Sequence, residues 1–318
     1  MNWRTAIGDP VYRAYAAIVI GLLLVSGAAL AGVTRGLRRD VGKVWTIWRS
    51  WLVMAPLGLI VVGLGRGATI AGVTLLGVFG FKEFARATGV YRDWWMTGIV
   101  YLAIVAVGAA AGSPDYDAGG RRPGWLDLLE TMPIYAVVLF LLTPLVRDRT
   151  AGQLQTVALA TLGFLLTGWT LGHLGFLTNA AHPYGYIAFV IFAVEVTDIS
   201  AYLCGRALGS RRFRRNISPN KTWGGALGAL VVGMTLPWAL GFSFPPAFDW
   251  RAKVLAGLIV GVGGQVGDLT ISLIKRDLGV KDMGATIPGH GGILDRIDSL
   301  IIVSPLFLRL VNWFEPLR

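Results

Sequence analysis

The sequence predicts an all-α integral membrane protein, a polytopic bundle of about ten transmembrane helices (nine to ten). Three observations carry that expectation. Hydrophobic side chains make up 54% of the 318 residues and charged ones only 15%, against roughly 25% charged in an ordinary soluble domain. The mean hydropathy is +0.62. Apolar runs able to cross a hydrocarbon core of about 30 Å, which takes about 20 helical residues, recur along the whole chain.

In chain order the runs fall at 14–33, 51–65, 67–81, 95–112, 129–146, 154–177, 184–205, 224–243, 252–274 and 299–314. The second, third and tenth are short, which sets the lower count of nine. The first, "AYAAIVIGLLLVSGAAL", is long for the core of a signal peptide and "WRSWLVMAPLGLIVVG" soon follows, so it reads as a retained membrane helix. The connections at 34–50, 113–127, 206–223 and 275–298 are too short for a soluble domain, so residues 1–318 form one membrane domain. "AGSPDYDAGGRRPGW" reads as an irregular external turn from its Gly, Pro and Asp content. Small residues in "GALGALVVG" and "GLIVGVGGQVG" permit tight helix packing in lipid, and glycines this dense also let backbone approach a ligand.

The net charge of +11 is distributed in a way that argues against nucleic acid. If the chain starts outside, most of the 29 lysines and arginines fall in cytoplasmic connections, as the positive-inside rule requires. That places the protein in the inner (cytoplasmic) membrane, multi-pass, with its polar site facing the cytoplasm. Each basic residue near anionic headgroups adds about 1 kcal/mol of attraction, and a substrate with a phosphate headgroup feels the same field. The single cysteine, Cys204, excludes an intrachain disulfide and a cysteine-rich metal site, and three histidines argue against a histidine-rich zinc site. His173 and His182 read as interfacial side chains.

Up to about residue 180 the charges stay in loops, as in an apolar helical scaffold. Across 184–314 ionisable residues enter the apolar runs. In "AFVIFAVEVTDISAYLCGRALG", Glu195 and Asp198 lie three apart with Tyr202 four further on, along one helix face. In "GVGGQVGDLTISLIKRD", Gln265, Asp268, Ser272 and Lys275 form a similar series. An aspartate at a helix centre costs about 2.5 to 3.5 kcal/mol on insertion scales, so such residues face a partner or a water-filled cavity. Structural pairing, an ion path and a reaction site all satisfy that requirement.

The most polar run, "IKRDLGVKDMGATIPGHGGILDRIDSL", spans 274–300. Pro288 stops any helix, and Gly289, Gly291 and Gly292 open backbone conformations closed to other residues. Such a turn can aim several N–H groups at an anion. Asp295 and Asp298 lie three apart at the next helix start, with Arg296 between them and Lys275, Arg276 and Lys281 upstream. Carboxylates together with substrate phosphates are how magnesium is usually held, and the basic residues would neutralise phosphate oxygens. The alternative is a solvated membrane-flanking loop with helix-capping aspartates.

The run "SLIKRDLGVKDMGATIPGHGGILDRID", 272–298, resembles the signature of the phosphatidate cytidylyltransferases, the integral-membrane CDP-diacylglycerol synthases. A second block, "TDISAYLCGRALG" followed by "ISPNKTWGG", resembles the family's aspartate-x-x-alanine-tyrosine helix and its serine-proline-x-lysine-threonine loop. Within the family, "VEVTDISAYLCG" and "IKRDLGVKD" resemble most a paralogous branch found beside the housekeeping synthase.

The resemblance implies that CTP and phosphatidate react to give CDP-diacylglycerol and pyrophosphate in phospholipid biosynthesis. It implies Mg2+, or another divalent cation, with room for a second cation, monovalent or divalent. The family's metal-binding aspartates correspond to Asp268 and Asp295, which with Lys275, Arg276 and Asp298 make the expected catalytic set. Asp198, Ser218, Lys221, Lys281, Asp282, His290, Gly291, Gly292 and Arg296 are the expected substrate-binding residues. The expected partners are CTP, phosphatidate or a related lipid phosphate, and membrane lipids, with no nucleic acid. A homodimer is compatible with the sequence. Two other readings remain: a cytidylyltransferase for an isoprenoid or ether lipid phosphate, and an ion-coupled transporter using Glu195, Asp198 and Asp268. The transporter reading lacks the repeated half with matching broken helices that such proteins often show.

Overall fold

The computed structural model describes residues 1–36, 42–117, 120–123, 125–209, 211–289 and 291–316. A short N-terminal helix, α1 (Trp3–Gly8), is closed by a reciprocal cap between Asn2 and Thr5. Then follow α2 (Pro10–Gly36), α3 (Gly42–Leu64), α4 (Arg66–Thr88), α5 (Trp94–Gly112), a hairpin of β1 (Pro114–Asp117) and β2 (Gly120–Pro123), and α6 (Leu126–Val146). The chain continues through α7 (Gln153–Phe164), α8 (Thr170–Phe176) and α9 (Pro183–Leu208). A second hairpin, β3 (Arg212–Arg214) and β4 (Ser218–Thr222), leads into α10 (Trp223–Ala239), α11 (Trp250–Leu258), α12 (Gly264–Asp277) and α13 (Leu294–Phe314).

Nine helices among the described residues are long and apolar enough to cross a membrane, counting 153–179 and 250–277 as one span each. The tenth expected run is α10, an apolar helix of 17 residues, about 25 Å long at 1.5 Å per residue. The short expected runs 51–65, 67–81 and 299–314 are parts of the longer α3, α4 and α13. Backbone hydrogen bonding continues past the point where hydropathy ends, through Lys82, Glu83 and Arg86 on α4 and through Asp295, Arg296 and Asp298 on α13.

Two expected loops are partly strands. The 113–127 connection holds the β1–β2 pair, running from Pro114↔Pro123 to Asp117↔Gly120. The 206–223 connection holds β3–β4, paired at Arg212↔Thr222 and Arg214↔Ser218, with Phe213 edge-on to Trp223 at 4.5 Å between centroids. His173 also departs from expectation. It is buried, its Nδ1 2.8 Å from the Trp169 carbonyl oxygen, rather than interfacial; His182 is half exposed and 3.8 Å from Glu315.

The apolar windows of α2 and α3 bury nothing inside the protein, whereas 61% of the α13 window is buried. Thus α13 is an axis of the bundle, and α2 and α3 face outward. Two π-helical turns, Leu165–Trp169 and Ile259–Gly263, interrupt the long spans; such turns reset the side-chain register of a helix without ending it. The second lies against α10, where a Cβ on Gly233 would come 2.7 Å from Gly261 Cα. Farther along α10, a Cβ on Gly225 would meet the Ala201 carbonyl oxygen of α9 at 2.5 Å. The small-residue runs therefore bring α10 into backbone contact with both neighbours, which seats the polar ends of α9, α10 and α12 together.

Candidate active site

Three helices contribute carboxylates to one cluster: Asp198 on α9, Asp268 on α12 and Asp298 on α13. Gly267 makes the convergence possible, because a Cβ there would collide with the Asp298 carbonyl oxygen. The Ser299 hydroxyl lies 3.1 Å from Asp198 Oδ2 and 3.4 Å from Asp298 Oδ1, and the Ser299 N–H donates to Asp298 Oδ1 at 2.7 Å. The three carboxylates are close enough to repel one another, and Lys221, Lys275 and Arg296 offset that repulsion.

Lys221 arrives on β4 and its Nζ lies 2.5 Å from Asp268 Oδ2. Ser272, one turn along α12, donates to Asp268 Oδ1 at 3.1 Å. Lys275, one turn beyond, donates to Asp295 Oδ1 at 2.8 Å. The i, i+4 and i+7 positions read from the sequence form one polar face of α12. Gln265, the first of that series, has a packing role: its amide bonds the carbonyls of Ala226 and Gly261 and ties α10 to the π turn.

The glycine-rich loop, where the sequence suggested amides aimed at an anion, is held in part by carboxylates of the protein itself. Gly289 and Gly291 take φ of 76° and 80°, and Ile287 N–H donates to the Gly291 carbonyl to close the turn. Four amides, of Met283, Gly292, Ile293 and Leu294, are held by the protein's own carboxylates. Asp295 Oδ2 accepts the N–H of Met283 at 2.9 Å and of Gly292 at 3.0 Å. Glu83, from α4, accepts the N–H of Ile293 at 3.0 Å and of Leu294 at 2.9 Å.

The remaining expected residues divide by position. Asp282 sits with Asp295 around Gly291, whose Cβ would be 3.5 and 3.1 Å from their nearest carboxylate oxygens. Arg276 holds two backbone carbonyls, Ile217 and Val280, each at 3.3 Å, so it ties the β3–β4 hairpin to the loop. Arg296 is exposed and acts electrostatically on Glu195 and Asp198. Lys281 is exposed and Ser218 lies on β4 opposite Arg214. Gly292 packs on the Glu83 carboxylate. His290 lies outside the described residues.

Among the described residues no three His, Cys, Asp or Glu side chains are placed to close on a metal ion. The donor set still fits a cation held jointly with substrate phosphates. A carboxylate offers about four lone-pair positions; Asp268 has two donors on it and Asp295 three. Both aspartates therefore keep acceptor capacity, and each faces a lysine ammonium that already supplies a positive charge there.

Comparison with known proteins shows the family. The model of the cytidylyltransferase family matches residues 45–314. The chain belongs to the cytidylyltransferase family. Its relatives include a phosphatidate cytidylyltransferase of Brucella melitensis biotype 1, 37% identical over 267 residues, covering 78% of this chain and 90% of the relative. A phosphatidate cytidylyltransferase of Staphylococcus aureus (strain COL) is 33% identical over 184 residues, 57% of this chain and 69% of the relative. The Escherichia coli (strain K12) protein named "Uncharacterized protein YnbB" is 29% identical over 280 residues, 86% of this chain and 89% of the relative. The family match begins at residue 45, so this cytidylyltransferase includes α3 and α4 in the shared unit. Glu83 and Ser299 are the residues sequence reasoning missed. Glu83, set between Lys82 and Phe84 with Arg86 nearby, looks like a membrane-flanking charge, and Ser299 carries no signal beyond following Asp298.

Proposed function

We propose that the protein transfers the cytidylyl group of CTP to phosphatidate, forming CDP-diacylglycerol and pyrophosphate, at a site opening on the cytoplasmic face of the inner membrane. The observation that carries the reading is the convergence of Asp198, Asp268 and Asp298 with Lys221 and Lys275, in a chain of the cytidylyltransferase family. A phosphate oxygen of phosphatidate attacks the α-phosphorus of CTP. The bond from that phosphorus to the bridging oxygen breaks, and its electron pair leaves with pyrophosphate. The nucleophile is already ionised, so no strong protein base is required and catalysis rests on positioning and charge.

Each residue set then has a task. Lys221 and Lys275 exchange their carboxylate partners for phosphate oxygens, and Arg296 adds positive potential at the rim. Asp268 and Asp295 are the groups that would hold Mg2+, which supplies charge neutralisation on the phosphates when bound; Asp198 and Asp298 leave room for a second cation. The loop carrying Lys281, Asp282 and Gly291 forms the edge that CTP approaches. The acyl chains stay in the bilayer while the headgroup enters between α9, α12 and α13.

The test is to incubate the purified protein with labelled CTP, phosphatidate and a panel of isoprenoid and ether lipid phosphates, with and without Mg2+. CDP-diacylglycerol and pyrophosphate in equal amounts, dependent on Mg2+, are expected. Product from another lipid phosphate alone would move the substrate. Ion flux in proteoliposomes without CTP consumption would replace the enzyme reading with the transporter one.

A further inference from the structure

The amino-terminal half reaches the glycine-rich loop through a buried acid. Glu83 is 6% exposed, lies near the end of α4, and contacts residues more than 200 positions away in sequence. Its Oε1 accepts the Thr286 hydroxyl at 2.6 Å and the Ile293 N–H at 3.0 Å, and its Oε2 accepts the Leu294 N–H at 2.9 Å. The two amides are free donors at the start of α13, where a carboxylate is also favoured by the helix dipole. The fit is close on the loop side: a Cβ on Gly284 would come 2.5 Å from Glu83 Oε1, and one on Gly292 would collide with Oε2.

We propose that Glu83 is a positioning residue for the reaction: it fixes the glycine-rich loop and the first turn of α13, and through them Asp295 and Lys275. The proposal rests on the cytidylyl-transfer reading above. A buried carboxylate is costly unless hydrogen-bonded, and the bonds that satisfy this one all come from the loop or the α13 start. The next link is Asp295, directly after Leu294, which clamps the same loop at Met283 and Gly292 and holds Lys275 with its other oxygen. The loop's far side rests on α3, where the Ser50 hydroxyl donates to the Pro288 carbonyl at 2.7 Å and Gly289 lies against Thr46 and Ile47. Two helices from the scaffold half thus grip the loop that links the polar face of α12 to α13.

The experiment uses the full-length protein with Cys204→Ser and Ala285→Cys, spin-labelled at position 285, an exposed loop site. Label mobility, kcat and KM for CTP are measured with native Glu83, Glu83→Gln, Glu83→Ala and Thr286→Val. In Glu83→Ala the label becomes mobile and kcat falls about 10- to 100-fold, as for a small misplacement of reacting groups, while KM for CTP moves little. Glu83→Gln keeps one acceptor oxygen but turns an NH2 donor toward the remaining donor, and recovers part of both. Should Glu83→Ala fail to fold, Thr286→Val, which removes one loop donor, is expected to raise mobility and lower kcat a few-fold. An immobile label in Glu83→Ala, or in Thr286→Val if that variant alone folds, overturns the proposal, as does a kcat loss matching only the folded fraction. The label readout needs no turnover, so a native protein inactive with CTP would overturn the function reading separately.

Discussion

Asp268 and Lys221 form the shortest ion pair of the site, 2.5 Å apart and each about one quarter exposed, so each holds the other's charge until a ligand replaces it. Asp268→Asn is expected to lower CTP turnover at least about 100-fold, the scale of losing one charge-stabilising group, while leaving membrane insertion intact. Lys221→Ala should raise KM for CTP and lower kcat together. In the double variant the losses should be markedly less than additive, since residues in direct contact couple. Additive losses in a kinetic cycle would place the two in separate roles. A second pair, outside the membrane span, tests the frame. Burial pushes the Asp93 carboxyl up, but the hydrogen bonds from Arg147 at 2.7 Å and from the Met96 N–H bring it below its ordinary value. A depressed folded value stabilises above the unfolded pKa of about 3.9 and is lost as pH falls through the folded value. A Tm series on solubilised protein should therefore show an acid limb below about pH 4 that Asp93→Asn makes shallower. Parallel limbs would dismiss the pair as a source of stability.

At the scale of elements, α12 was legible because a polar face at helical spacing in an apolar run has few bland explanations. Asp268, Ser272 and Lys275 keep that spacing in the structure. The loop was legible in composition but not in contacts. Nothing in "GHGG" says what the amides in and after it meet: Gly292 N–H bonds Asp295, and the carboxylate that takes the next two, Ile293 and Leu294, comes from α4. Long-range partners leave no local periodicity, so Glu83 stayed hidden behind its basic neighbours. The β3–β4 hairpin was hidden for a related reason: β3 is only arginine, phenylalanine, arginine and β4 carries a proline, a weak strand signal beside the stronger one of topological charge. The glycine runs were legible as packing, and they give a prediction. Gly233→Leu inserts side chain where backbone lies 2.7 Å from the Cβ position, and overpacking of this kind costs about 1–3 kcal/mol. The solubilised protein's Tm should fall by several degrees, with CTP turnover falling as α10 shifts Lys221 away from Asp268. An unchanged Tm would mean that α10 and the π turn are free to separate.

For the whole molecule, the order of the helices decides which groups share a side. The spans alternate in direction, so the ends of α4, α9 and α12 and the starts of α5, α10 and α13 lie at one end of the bundle. That end holds Glu83, the β3–β4 hairpin, Lys221 and the loop from Leu278 to Ile293. It also holds Arg206, Arg211, Arg212, Arg214, Arg215, Lys275, Arg276, Lys281 and Arg296, a density of basic charge that the positive-inside rule assigns to the cytoplasm. Asp198, Asp268 and Asp298 lie in the parts of their spans nearest that end, so the proposed reaction would bring CTP and the lipid together there. A cysteine scan tests the arrangement directly. With Cys204→Ser, a cysteine replacing exposed Arg215 on the hairpin connection should resist an impermeant maleimide on intact cells and react after permeabilisation. A cysteine replacing exposed Ala247, in the connection between α10 and α11, should react on intact cells. The reverse pattern would turn the bundle over and place the carboxylate cluster where cytoplasmic nucleotide never reaches it, which would remove CTP as its substrate.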